Sequence, residues 1–300
     1  MLTGRLLEPS GFFIIRTGNN LVTDRHCVYH KPMADLQEQS LLGKKVFFVY
    51  PPSVIQKEMI SLLLEQEFEI YMVKDHQSAK RLLKLYPDCI AFINIDAGMA
   101  EKEWDSWIRD MLADPVTATI GIGILSYNTD DELRKKYLMD IGIRCGFVRL
   151  KIGIEQSASI LIETLKANEA KGRRKYLRAA CGTDALTGLN VNYAGKLING
   201  KIKDISVVGL SCVFETDPFF PKNAVIGRIQ LKLRGTLVLV DAVVFGTRQE
   251  DGNTVYVLLF TQKIDGVTRT KIRSFIQTAL QTEMDLVALT GDKGVQDSHP

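Results

Sequence analysis

Hydrophobic periodicity changes character at about residue 171 of this 300-residue chain. Before that point, short apolar runs alternate with stretches of helical period. The runs at 46–50, 68–73, 90–95, 119–125 and 146–150 are followed by helical patterns at 54–67, 77–86, 104–112, 130–139 and 156–170. Short buried strands separated by amphipathic helices predict a parallel sheet wrapped on both faces. Residues 44–170 therefore read as a doubly wound α/β domain of five βα units. After residue 171 the runs at 201–205, 210–215, 225–233, 237–247 and 254–261 are rich in β-branched and aromatic residues, with turns such as Asp251-Gly252-Asn253 between them. That half reads as an all-β barrel or sandwich over 171–285. Apolar residues at Ile272, Phe275, Ile276, Ala279 and Leu280 predict one closing helix over 268–283.

Two domains also suit the length, at roughly 100–200 residues per domain. Residues 1–43 form an extension in which Phe12-Phe-Ile-Ile15 and Leu21-Val22, split by Gly18-Asn19-Asn20, fit a hairpin. Residues 286–300 have too little apolar content in their final stretch to pack and read as a disordered tail. The 38 basic and 35 acidic residues give a net charge of only +3, which argues against a general nucleic-acid coat or a membrane-adsorbing surface. The longest apolar runs fall far short of the ~20 residues of a spanning helix, and the N-terminus lacks the continuous apolar core of a secretory signal. A cytoplasmic location follows as an expectation. The five cysteines are scattered singly without a CxxC pair, which fits reduced thiols.

The densest charge lies at the junction of the two halves. Lys171-Gly-Arg173-Arg174-Lys175-Tyr176-Leu177-Arg178 packs five cations and no acid into eight residues. It is an anion site or a solvated linker. The planar fork of arginine matches both phosphate oxygens and the O6/N7 edge of guanine, so two arginines four apart suit a guanine nucleotide. Farther on, Asp204-Ile-Ser206-Val-Val-Gly209 ends a predicted strand. Its carboxylate can accept from the N1 and N2 donors of guanine, its hydroxyl can reach a phosphate or base edge, and its glycine allows a close backbone approach. An ordinary Asp/Ser turn with a glycine stop explains the same residues.

Together, Arg174-Lys-Tyr-Leu-Arg178 and Asp204-Ile-Ser206-Val-Val-Gly209 resemble the RxxxR and [D/N]xSxxG signatures of the PilZ domain, a family of receptors for the bacterial second messenger cyclic di-GMP. The resemblance implies a six-stranded antiparallel barrel with a C-terminal helix. It further implies that Arg174 and Arg178 grip phosphate and guanine while Asp204, Ser206 and Gly209 line the facing wall. An arginine at the position of Arg173 goes, in the family, with an intercalated dimer of the ligand.

The front domain resembles a response-regulator receiver, whose chemistry needs a phosphoacceptor aspartate after the third strand and acids after the first to hold Mg²⁺. Here Tyr50-Pro51-Pro52-Ser53 follow the first strand, Asn94 and Asp96 are slightly displaced from the expected acceptor position, Ser126 follows the fourth strand, and Lys151 falls one residue late. The resemblance thus implies a degenerate receiver used for docking. Asp24, His26, Cys27 and His30 are metal-capable, but Cys27 faces away from both histidines on a strand, so no metal site is expected. No nucleophile, base and acid stand at recognisable spacing, and no Walker-type loop is present, so an enzyme is not expected. The resulting expectation is a cyclic di-GMP receptor that needs no further cofactor and changes its interdomain arrangement to control a protein partner. One alternative is a phosphorylation-controlled regulator using Asp96. The other is a nucleic-acid-binding barrel, which lacks a stacking platform because Tyr176 is the single ring in the basic run.

Overall fold

The computed structural model describes residues 43–261 and 264–291. The expected hairpin in 1–42, the Asp24, His26, Cys27 and His30 group, and the end of the expected tail lie outside the described residues. All described residues fall within one compact unit.

Strands β1 (Lys45–Val49), β2 (Ile70–Val73), β3 (Cys89–Asn94), β4 (Gly121–Ser126) and β5 (Phe147–Arg149) form a parallel sheet in the order β2-β1-β3-β4-β5. Helices α1 (Ile60–Glu65), α2 (His76–Leu85), α3 (Glu101–Ala113), α4 (Asp131–Lys135) and α5 (Ile154–Ala167) connect and cover the strands. A π-helical turn, Ile55–Met59, leads into α1, and a second, Lys136–Ile141, continues α4. Successive side chains of a strand point to opposite faces. Phe47 and Val49 accordingly pack with Leu82 of α2 and Trp104 and Ile108 of α3, while Val46 and Phe48 pack with Leu63 of α1 and Leu161 and Leu165 of α5. Burial on both faces explains why these strands are continuous apolar runs. Asp75 starts α2 by accepting the Ser78 amide at 2.7 Å.

The second half is a closed antiparallel barrel. Strands β7 (Thr187–Tyr193), β8 (Lys196–Ser206), β9 (Gly209–Phe214), β10 (Val225–Leu233), β11 (Thr236–Glu250) and β12 (Asn253–Phe260) pair in the order β8-β7-β10-β11-β12-β9, and β9 closes on β8. A two-residue strand, β6 (Ala179–Ala180), pairs with Ile205 and Asp204 of β8. Three hairpins turn through Ala194-Gly195, Arg234-Gly235 and Asp251-Gly252. Both residues of each turn have positive φ, the geometry whose twist matches that of the flanking strands.

The closing helix α6 (Gly266–Thr290) is longer than the sequence pattern suggests and runs five residues past the expected boundary at 285. Residues 286–290 are therefore helix, not tail. Met284, Val287 and Ala288 extend its buried stripe, and the Ala288 carbonyl accepts from Arg81 Nε of α2 at 3.0 Å. Gln281 bonds both polar groups of Met72, accepting from its amide at 2.8 Å and donating to its carbonyl at 3.0 Å; Gln277 donates to the Ile70 carbonyl at 2.7 Å. These amides occupy the open edge of β2, where a further strand would otherwise pair. At the junction, Gly43 and Lys171 form an antiparallel bridge, the Lys44 amide donates to the Ala170 carbonyl at 3.0 Å, and Lys171 Nζ sits 5.3 Å from the Phe68 ring centroid. A Cβ on Gly43 would collide with the backbone of 170–172.

Candidate functional site

Placement of the arginine segment begins with β8. Its first part pairs with β7, and where β7 leaves off Ala179 and Ala180 take over that side opposite Ile205 and Asp204. Arg178 is thereby set beside Asp204, with its Nη1 3.7 Å from Asp204 Oδ1. The pair sits at the surface, the arginine side chain 55% exposed and the carboxylate 30%. The second carboxylate oxygen of Asp204 accepts from the Ser211 hydroxyl on β9, across the register pair Asp204↔Ser211. Burial pushes the neighbouring Cys181 thiol up to about 12, with the charges of Asp184 and Asp204 adding to the effect. Burial raises the Cys212 thiol as well, with a smaller contribution from Asp204. The thiols beside the site therefore stay neutral near pH 7.

Arg173 and Arg174 are exposed, and their side chains make no hydrogen bond or ion pair among the described residues. Lys175 Nζ lies 5.4 Å from the Tyr176 ring centroid. The backbone between the two signature arginines is held from the α/β half: Leu177 N donates to Glu67 Oε2 at 3.0 Å, and Glu67 Oε1 accepts from Arg273 Nη2 of α6 at 3.3 Å. An exposed arginine segment with a held backbone, and Arg178 set beside the half-buried Asp204 carboxylate, can take a phosphate-bearing ligand with hydrogen-bond donors on its base edge.

Ser206 and Gly209 have tasks within the barrel. Ser206 is 5% exposed, and its hydroxyl donates to the Gly209 carbonyl at 3.1 Å and accepts from the Val208 amide at 3.4 Å, closing the β8–β9 turn. A Cβ on Gly209 would collide with the Leu258 carbonyl of β12. Structure thus brings Arg178 and Asp204 into contact and places Ser206 and Gly209 opposite each other at the adjoining β8–β9 turn. Glu67 and Ser211 belong to the same locality. Sequence reading missed Glu67 because its link to the motif crosses 110 residues and leaves no local spacing signal, and missed Ser211, seven residues from Asp204, because the contact depends on the β8–β9 register.

At the C-terminal ends of β1 and β3, the strand order reverses, which is where open α/β sheets bind ligands. Tyr50 occupies this point with φ 49°, its ring edge-on to Trp104 at 5.9 Å and its hydroxyl 3.3 Å from His76 Nδ1. A Cβ on Gly98 would strike the Tyr50 ring. Asn94 is buried and donates to the Tyr50 carbonyl at 2.9 Å. The Asp96 carboxylate is engaged by the Ser126 hydroxyl at 2.7 Å and the Tyr127 amide at 2.6 Å. Lys151 is exposed in a short 3-10 turn, Leu150–Ile152. Among the described residues, no three His, Cys, Asp or Glu side chains gather as a metal-binding group, and no helix is long and apolar enough to cross a membrane.

The PilZ domain family model matches residues 172–278. No curated protein matches the chain significantly. Among solved structures, the PilZ domain with c-di-GMP of YcgR from Escherichia coli is 15% identical, with 39% of this chain and 98% of that chain covered at a TM-score of 0.35. The MrkH–c-di-GMP complex of K. pneumonia is 18% identical, with 41% of this chain and 57% of that one covered at a TM-score of 0.31. The chemotaxis response regulator CheY4 of Vibrio cholerae is 16% identical, with 42% of this chain and 98% of that chain covered at a TM-score of 0.34.

Proposed function

We propose that this chain, which carries a PilZ domain at residues 172–278, is a cyclic di-GMP receptor that couples ligand occupancy to its receiver-like half and thereby controls a protein partner in the cytoplasm. The observation that carries this reading is the meeting of the two signature elements: Arg178 lies 3.7 Å from Asp204, and Arg173 and Arg174, which precede it in the same segment, are exposed. Cyclic di-GMP offers two phosphates to the arginine forks and guanine N1 and N2 donors to the Asp204 carboxylate. Arg178 then trades its longer contact with Asp204 for charge-assisted bonds to the ligand. An intercalated ligand dimer would gather four negative charges, and Arg173 supplies a third guanidinium to balance them. Binding proceeds without turnover and without a further cofactor.

The receiver-like half acts by docking. Asp96 already has both oxygens engaged by Ser126 and Tyr127, and the Tyr50 ring packs against Gly98 and Trp104 at the switch point. Equilibrium titration with cyclic di-GMP, GTP, cyclic di-AMP and a short oligonucleotide tests the reading. Saturable binding of cyclic di-GMP alone is expected. Oligonucleotide binding that falls steeply with salt, without cyclic di-GMP binding, would replace the receptor with a nucleic-acid-binding barrel.

A further inference from the structure

Glu67 lies in the α/β half, 110 residues from the ligand-gripping segment, yet it is the side chain that holds that segment's backbone. It follows α1 in a left-handed conformation, φ 60°, which is uncommon for a residue with a Cβ. That conformation is accompanied by two contacts of its carboxylate. One oxygen accepts from the Leu177 amide at 3.0 Å, between Arg174 and Arg178, and the other accepts from Arg273 of α6 at 3.3 Å. Both Arg273 and Glu67 side chains are largely buried, 18% and 12% exposed. One carboxylate therefore ties together the sheet domain, the closing helix and the arginine segment.

Resting on the receptor reading above, we infer that Glu67 is a positioning residue for cyclic di-GMP, presetting the Arg174–Arg178 backbone through the Leu177 amide and coupling ligand binding to the docked arrangement of the two halves. Residues 172–178 lie outside helices and strands, so fixing their backbone for two arginine grips would otherwise be done at the moment of binding. A hydrogen bond made beforehand removes part of that entropic penalty from the ligand. Coupling is reciprocal: if the docked state binds ligand better, ligand strengthens docking by the same factor. The ligand does not touch Glu67; the effect passes through the backbone between the two signature arginines.

Comparison of Glu67→Ala with Glu67→Gln isolates this role. Both variants lose the ion pair with Arg273, but glutamine keeps an amide oxygen for the Leu177 N–H. Hydrogen exchange over 172–180 in the ligand-free protein and cyclic di-GMP titration are measured on all three full-length proteins. Glu67→Ala is expected to speed exchange at Leu177 and to weaken cyclic di-GMP binding, each by about tenfold, and Glu67→Gln to recover most of both. Unchanged exchange and affinity in Glu67→Ala would overturn the inference. Equal losses in the two variants would also overturn it, assigning the effect to the ion pair with Arg273. Exchange that responds as expected in a protein that binds no cyclic di-GMP would overturn the receptor reading and the ligand coupling, leaving Glu67 as a purely structural hold on Leu177.

Discussion

At Gly209 an added methyl group would run into the Leu258 carbonyl, so β9 and β12 would have to separate to accommodate it. Gly209→Ala is therefore expected to destabilise the barrel by roughly 1–3 kcal/mol, read as a lower denaturation midpoint. Ser206→Ala removes the hydroxyl that closes the turn and should lower stability by about 1 kcal/mol. Arg173 has the opposite character. It is exposed and unpaired among the described residues, so Arg173→Leu should leave stability unchanged. Calorimetry should nevertheless show ligand stoichiometry falling from two per chain toward one. A ratio near one in the unmodified protein would remove the dimer from the account. The signature D-x-S-x-x-G thus combines one residue facing the rim, Asp204, with two that build the turn holding it.

At the scale of elements, the α/β half was legible because each strand is buried on both faces and leaves an unbroken apolar run, as in Cys89–Asn94. Strand β7 was not legible. Its sequence, Thr-Gly-Leu-Asn-Val-Asn-Tyr, carries a glycine and two asparagines, all depleted in strands, and its extended form comes from pairing with β8 and β10. The last turn of α6 was also missed, because Met284, Val287 and Ala288 have a reason to be helical only once the sheet domain packs against them. Of the site, the motif residues were legible from local spacing, whereas Glu67 is brought in by tertiary structure and Ser211 by the β8–β9 register. The edge of β2 supplies an element-scale test. Gln281→Leu leaves the Met72 amide and carbonyl without their partner, so the loss should be about 1–3 kcal/mol. Faster hydrogen exchange at Met72, with Val46 in β1 protected as before, is the expected pattern.

Across the whole molecule, the basic junction is anchored rather than loose. An unrestrained link would follow from Gly172 and five mutually repelling cations, but the Gly43–Lys171 bridge, the Lys171–Phe68 contact and the Glu67–Leu177 bond tie it to the sheet domain, while α6 spans both halves. If the barrel is the proposed receptor, signal transfer from it would take the form of strengthening or releasing a docked arrangement, with a coupling of about 1–3 kcal/mol being ordinary for such linkage. The docking role proposed for the receiver-like half predicts no phosphate chemistry there. Incubation with acetyl phosphate and Mg²⁺ should add no phosphoryl mass at Asp96, whose oxygens face Ser126 and Tyr127; a phosphoryl adduct there would favour the phosphorylation-controlled alternative.

Calorimetric titration of cyclic di-GMP into the unmodified chain, Arg174→Ala and Arg178→Ala addresses the central claim most directly. Each arginine provides charge-assisted bonds of about 1.5–3 kcal/mol, so each substitution should weaken binding at least about tenfold while circular dichroism shows the fold intact. Folded variants that bind cyclic di-GMP as tightly as the unmodified protein would contradict the assignment of this rim as the receptor site.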